Sequence, residues 1–335
     1  MRHFEFWPPR LFEAPYYLAL LALCVRHRLP LQYLAKANYA LDHGELALGS
    51  KYETQMAFAQ DRFPATLRLD PSTASLTDAQ NFAAQHGFPL IIKPEIGSVG
   101  KGVGKVKNFE QLQEFIESLR SPHLLQAFVE YPCEFGVFYV RKRGAGAITG
   151  INQKHFPEVK GNGVDTLHTL AERHERFSKH WPMFLKDHDL TRVPEAGERV
   201  RLSYIGSHTM GCKFTNDSEL ASAKLLAVLE EVCTSQPGFN FGRLDVRSPS
   251  REALQEGEFV IIEVNGVASL PTHMFDPKHS LPEGYRIFLT HARHLVEVAA
   301  EHRDRPMPLL PLLELLRKAR RNARELDALQ AAAIH

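Results

Sequence analysis

Two segments toward the carboxyl end constrain the fold more than any other part of the chain. They are Phe241-Gly242-Arg243-Leu244-Asp245-Val246 and the apolar run Phe259-Val260-Ile261-Ile262, which ends in Glu263-Val264-Asn265. Both read as strands, and in a strand side chains two apart share a face. Glu263 and Asn265 therefore point the same way from one strand while Asp245 faces them from its neighbour, with Arg243 on that face as a fixed positive charge. Two carboxylates and an amide make an all-oxygen site suited to magnesium, which takes few protein ligands and fills its other positions with water and phosphate. Either segment alone also reads as an ordinary strand with polar residues at its end.

Far upstream lies Ile92-Lys93-Pro94-Glu95-Ile96-Gly97-Ser98-Val99-Gly100-Lys101-Gly102-Val103-Gly104. The apolar run Pro89-Leu90-Ile91-Ile92 leads into it, so a strand delivers Lys93 and a glycine-rich turn then exposes backbone N–H groups that can cradle phosphate. The loop lacks the Gly-Lys-Ser/Thr ending of a P-loop, and no helix opens inside it as a dinucleotide fingerprint requires. In isolation it reads equally as a flexible hairpin loop.

Together with Ser50-Lys51 opening a helix and Phe63-Pro64-Ala65-Thr66 after it, these segments resemble the ATP-grasp superfamily. The resemblance runs from about Ser50 to Pro277 and is strongest to the D-alanine-D-alanine ligase-like carboxylate–amine ligases. It implies an α+β, two-lobed ATP-grasp fold with a shortened N-terminal region. Residues 1–50 form that apolar, helical region, residues 51–127 a small lobe with the glycine-rich loop, residues 128–300 a large lobe of antiparallel sheet with the metal, and residues 301–335 a helical tail. ATP is implied between the lobes, with Lys51 and Lys93 on its phosphates and Gly97, Ser98, Val99, Gly100 and Gly102 in a mobile loop over them. Leu124-Leu125-Gln126-Ala127-Phe128-Val129-Glu130 resembles the adenine hinge, where backbone groups of Ala127 and Phe128 read the base and Glu134 accepts the ribose hydroxyls. Gln126 stands where the family usually has glutamate, and its amide oxygen can still accept from the adenine amino group. Asp245, Glu263 and Asn265 are the implied ligands of Mg2+, with Mn2+ as an alternative.

The segment from Phe156 to Leu167 resembles a glycine-rich turn of amino-acid and peptide ligases in the superfamily. Lys154 and Lys160 flank it, each either reaching the γ-phosphate or acyl phosphate or simply solvated. Tyr204 to Lys213 stands where those ligases place a substrate-facing segment, with His208 and Lys213 as candidates. The loop after Asn265 carries His273 and Asp276. For these two a general base toward an incoming amine is one reading, and a capping or loop-stabilising hydrogen bond is the other. The implied reaction joins a small-molecule carboxylic acid to an amine (an amino acid or peptide) through an acyl phosphate, with Lys93, Arg243 and His273 as catalytic candidates. A phosphotransferase acting on a hydroxyl and a non-catalytic ATP-binding partner protein are the alternatives.

Composition agrees with an enzyme of this size. Of 335 residues, 44% are hydrophobic, enough for a large core shared among two or three packed subdomains. The formal net charge of +1, with no basic run interleaved with aromatics, argues against a nucleic-acid partner. Cys24, Cys133, Cys212 and Cys233 fit no metal spacing, so a reduced, cytoplasmic protein is expected. Leu11 to Val25 is nearly all apolar, between Phe4, Phe6 and Trp7 on one side and Arg26 and Arg28 on the other. It is short of the about 20 apolar residues that span a bilayer, and it lacks a signal-peptide pattern. Peripheral contact of residues 4–28 with the inner membrane face is one reading; a helix packed on the catalytic domain or across a homodimer is the simpler one. Leu309 to Arg321 reads as a basic amphipathic helix that packs as a tail.

Overall fold

The computed structural model describes residues 4–324 apart from 47–48, 98–101, 178–187, 204–205, 207–210, 312, 316, 319 and 323. The chain opens with a 3-10 turn at Phe4–Phe6, helix α1 (Pro9–Arg26) and 3-10 segments at Leu31–Asn38 and Asp42–Glu45. Helix α2 (Lys51–Met56) begins where the Ser50 side chain accepts from the Glu53 N–H, satisfying one of the donors a helix start leaves over.

A four-stranded antiparallel sheet follows, built from β1 (Thr66–Leu69), β2 (Leu90–Pro94), β3 (Gly104–Val106) and β4 (His123–Ala127) in the order β1-β4-β2-β3. Helices α3 (Leu76–His86) and α4 (Phe109–Ser118), capped by Ser75 and Asn108, cover one face. Their Ala79, Ala83 and Leu112 pack on Leu69, Leu90, Ile92 and Leu125 of the sheet. Strand alternation leaves Lys93 and Gln126 on the opposite face.

The second sheet comprises β5 (Cys133–Lys142), β6 (Ala145–His155), β9 (Lys213–Asn216), β10 (Phe241–Ser248) and β11 (Val260–Asn265), all antiparallel, in the order β11-β10-β5-β6-β9. Between β6 and β9 lie β7 (Glu158–Lys160) and β8 (Arg199–Arg201), which pair with each other, and α5 (Leu167–Glu172). On one face of the sheet Phe135, Val137, Tyr139, Leu244 and Val246 pack against Leu225, Leu229, Val232 and Cys233 of α6 (Ala223–Ser235), with the short α7 (Arg251–Gln255) alongside. The same period of two puts Glu134, Gly136 and Phe138 of β5 beside Arg243, Asp245 and Arg247 of β10 on the other face. The result is an α+β fold of two lobes, each built on an antiparallel sheet backed by helices.

Helix α8 (Leu281–Glu301) starts with a Ser280/Glu283 capping box and carries α1 on its flank. The α1 residues Phe12, Tyr16, Leu20 and Cys24, spaced four apart, are buried, and Tyr16 stacks on Phe288 at 4.2 Å between ring centroids. Leu11, Leu18 and Val25 on the opposite face of α1 are exposed. Among the described residues no helix is long and apolar enough to cross a membrane. Of the basic segment near the carboxyl end, Lys318 pairs with Asp42 at 3.0 Å.

Candidate active site

Strands β10 and β11 set Arg243 opposite Asn265 and Asp245 opposite Glu263. The register then jumps, so that Val246 faces Ile261 and Ile262 becomes the extra residue of a β-bulge. The carbonyl of this extra residue accepts from Lys93 Nζ at 3.0 Å. Lys93 also donates to Gln126 Oε1 at 3.1 Å. A lysine of the first sheet is thereby held against the strand that carries Glu263 and Asn265.

Asp245 is the centre of charge. Arg243 binds its two oxygens through Nε at 2.8 Å and Nη2 at 3.1 Å, Lys154 Nζ lies 3.3 Å away, and Asn265 Nδ2 donates at 3.3 Å. Burial pushes the Asp245 carboxyl up, but Arg243 and Lys154 outweigh it and hold the group below the usual carboxylate range. Lys154 also donates to Glu134 Oε1 at 3.0 Å, and Arg247 Nε donates to Glu134 Oε2 at 3.1 Å. Burial works against the charged form of Lys154, yet Asp245 and Glu134 raise its pKa above that of a free lysine. Lys93 differs: burial is the dominant influence, only partly opposed by Glu263, and its pKa falls to about 8. Lys51 donates to the Gly97 carbonyl and lies 3.4 Å from the Glu263 carboxylate.

The Ala127 N–H donates to the Ala65 carbonyl at 2.9 Å, and the Phe128 ring lies between Lys105 Nζ at 4.0 Å and the Arg247 guanidinium at 5.3 Å. The Gln126 amide is engaged at both ends, since besides accepting from Lys93 it donates to Thr66 Oγ1 at 2.9 Å. Gln126 is thus a partner of Lys93, a role its place in the hinge motif did not suggest. Gly102 is in the left-handed region (φ +71°), where a Cβ would meet Pro94 Cγ at 2.8 Å. Ser98, Val99 and Gly100 of the glycine-rich loop, and His208, lie outside the described residues.

Lys160 on β7 and Lys213 on β9 are exposed. Asp276 accepts from the backbone N–H of Asn216 at 2.7 Å and of Lys278 at 2.8 Å, so it anchors its loop. His273 is only 5% exposed and its ring lies 5.1 Å from that of Phe138. Gly150 lets it approach, because a Cβ there would stand 2.3 Å from the imidazole. Burial lowers the His273 pKa to about 3, and burial lowers that of neighbouring His291 to about 4 despite the 2.8 Å bond to the Ser269 carbonyl.

A pH dependence of stability follows. Both folded-state values lie below the ordinary histidine value, so the native state binds fewer protons and stability is complete above about pH 6.5 and lost as pH falls. At about pH 5 each histidine costs about 2 kcal/mol by this linkage. Urea midpoints measured at neutral pH and near pH 5 should differ accordingly, and replacing His273 with an apolar residue should shrink the difference.

The family model described as carbamoyl-phosphate synthase L chain, ATP binding domain, matches residues 51–130. This segment is an ATP-grasp ATP-binding unit. It contains α2 with Lys51, the β1–β4 sheet with Lys93 and the hinge to Phe128, and the ATP-grasp assignment therefore covers the first lobe directly. No curated protein matches the chain in sequence. Among solved structures, the chain is similar to the D-alanine-D-alanine ligase from Helicobacter pylori at 15% identity, TM-score 0.39, over 74% of this chain and 60% of that one. It is similar to the bifunctional glutathione synthetase from Pasteurella multocida at 14% identity, TM-score 0.39, over 72% and 35%. For D-cycloserine synthetase DcsG the figures are 13% identity, TM-score 0.42, and 76% and 70%. The chain spans less than two thirds of the length of the first two.

The donor set beside the ATP-grasp segment fits a divalent cation of the magnesium kind: Asp245 and Glu263 sit as a cross-strand pair with the Asn265 amide next to them, all oxygen donors. Among the described residues no three of His, Cys, Asp and Glu form a metal cluster, so the amide and ligand oxygens would complete the shell. Arg247 was not foreseen, although the alternation that marks Arg243 and Asp245 extends to it. Its Nη1 donates to the Val129 carbonyl at 2.8 Å, joining Glu134 to the hinge.

Proposed function

We propose that the chain is an ATP-dependent carboxylate–amine ligase that forms an amide through an acyl phosphate and releases ADP and phosphate. The observation that carries this reading is the convergence of Lys93, Lys154 and Arg243 on the Asp245–Glu263–Asn265 corner beside an ATP-grasp segment. A magnesium ion on Asp245, Glu263 and Asn265 would neutralise phosphate charge.

The remaining work falls to the chain. Lys51 and Lys93 bind phosphate oxygens, Ala127 and Phe128 hold the base, and Glu134 takes the ribose hydroxyls. The substrate carboxylate attacks the γ-phosphorus, breaking its bond to the β-γ bridging oxygen and giving ADP and an acyl phosphate. The amine then attacks the acyl carbon, phosphate leaves with the bonding pair, and the amine nitrogen loses a proton. Arg243 stabilises the oxyanion of that tetrahedral state. A general base works best with a pKa near the working pH. A buried imidazole at about 3 is far from that, which supports loop positioning over proton abstraction as the role of His273.

The test is ADP release from ATP and magnesium in the presence of pooled carboxylic acids and amines. Release that requires both pools is the expected result. Release with a hydroxyl compound and no amine would replace the ligase with a phosphotransferase, and ATP binding without release in any pool would leave a binding protein.

A further inference from the structure

Three consecutive residues, His43, Gly44 and Glu45, are in the left-handed backbone region, with φ of 46°, 61° and 57°. For the two that are not glycine this conformation is unfavourable, and it persists only where the surroundings over-determine it. The surroundings here are the loop directly after Asn265. The Gly44 carbonyl accepts from the Val267 N–H at 3.1 Å, and the buried Glu45 carboxylate accepts from the Gly266 N–H through Oε2. The other Glu45 oxygen accepts from Thr54 Oγ1 on α2, the helix that begins with Lys51. Contact is close on all sides: a Cβ on Gly266 would lie 2.6 Å from the Gly44 oxygen, and one on Gly44 would lie 2.2 Å from the Ala35 oxygen.

The same stretch grips the adjacent strand. Asn38 Oδ1 accepts from the N–H groups of Asn240 at 2.9 Å and Phe241 at 3.0 Å, while its Nδ2 donates to the Phe241 carbonyl at 2.8 Å. Phe241 is two residues before Arg243, and Gly266 follows Asn265. Residues 31–46, outside the segment that matches the family model, thus hold both strands at the end where Arg243 faces Asn265.

We propose that this stretch is a positioning strap for the phosphate and metal site, and that Glu45 is its key residue, fixing Asn265 through Gly266 and Lys51 through Thr54. A single carboxylate with one oxygen on each element holds the distance between a phosphate lysine and a metal ligand. This role rests on the ATP-site reading above, but its test needs no knowledge of the acid or amine.

The measurement is equilibrium binding of a fluorescent ATP analogue at a temperature where circular dichroism shows every variant folded, with the magnesium concentration for half-saturation read in parallel. Glu45→Ala should weaken nucleotide binding about tenfold, the worth of one hydrogen bond to a charged group, and should raise the magnesium requirement. Thr54→Val severs only the α2 link and should weaken nucleotide binding with the magnesium requirement unchanged. Glu45→Gln keeps an acceptor for Gly266 and a partner for Thr54, so it should bind within about twofold of the parent protein. Parent-like binding by both Glu45→Ala and Thr54→Val overturns the strap, as does a Glu45→Gln defect as large as that of Glu45→Ala. If Glu45→Ala does not fold, Thr54→Val and Glu45→Gln decide by the same criteria. A parent protein that binds no ATP overturns the ATP reading and the strap with it.

Discussion

Asp245→Asn will abolish ATP turnover, by at least about 1,000-fold, the scale of losing a group that organises charge at a reacting phosphate. The side chain is buried, and Arg243 holds both its oxygens while Lys154 and Asn265 approach one of them. Removing the anion leaves Arg243 and Lys154 with one counter-charge fewer, and breaking a buried pair in this way costs about 3–5 kcal/mol. Lys154 retains Glu134 at 3.0 Å, so the loss should lie toward the lower end of that range. The sign of the binding effect separates this account from simple unfolding. With Asp245 neutral, Arg243 and Lys154 are more available to phosphate, so metal-free ATP should bind at least as tightly as to the parent protein. Thermal melts, metal-free binding and ADP release measured on one preparation give the three numbers. Turnover within about tenfold of the parent would contradict the role given to Asp245.

Lys93→Met is expected to act in opposite directions on binding and on stability. The ammonium is buried, and with a pKa of about 8 it is disfavoured in the ligand-free protein relative to an ordinary lysine near 10.5. A folded-state value below the unfolded one means that the native state binds fewer protons, so the penalty is fully present below about pH 8 and disappears as pH rises toward the unfolded value. Its size is of the order of 3 kcal/mol. Methionine removes the penalty but leaves Gln126 Oε1 and the Ile262 carbonyl without this donor, at about 1 kcal/mol each. The balance is a melting temperature unchanged or slightly raised. Nucleotide affinity should meanwhile fall about 10- to 100-fold, the range for hydrogen bonds to a charged group. In the parent protein, ATP affinity should decline as pH rises above about 8, because only protonated Lys93 serves the phosphates, and Lys93→Met should lack that decline. Isothermal titration across that pH range checks both statements.

Much of this arrangement was legible in the residues. The alternation of Arg243 and Asp245, and of Glu263 and Asn265, needs only the period of a strand, and the pairing of β10 with β11 brings the four together. The capped start of α2 at Ser50 and the delivery of Lys93 by an apolar strand are equally local. What was not legible depends on register and on distant partners. Nothing in Ile261-Ile262-Glu263 marks Ile262 as the bulge residue whose carbonyl meets Lys93. Gln126 reads as a hinge residue until β4 is paired with β1 and β2, which puts its amide between Thr66 and Lys93. Glu45 stands in a stretch without periodicity, and its importance comes from Gly266, far away in sequence. His273 and Asp276 looked alike as polar residues in one loop and both are buried; their partners separate them, since Asp276 anchors backbone N–H groups while His273 is packed against Phe138.

The most direct measurement supplies hydroxylamine in place of the amine and reads hydroxamate formed from pooled carboxylic acids with ATP and magnesium. An acyl phosphate is captured by hydroxylamine whatever the natural amine, so the account predicts ATP-dependent hydroxamate from at least one acid, in step with ADP and absent from Asp245→Asn. ADP formed without hydroxamate from any acid, with a phosphorylated hydroxyl compound as the other product, would contradict carboxylate activation.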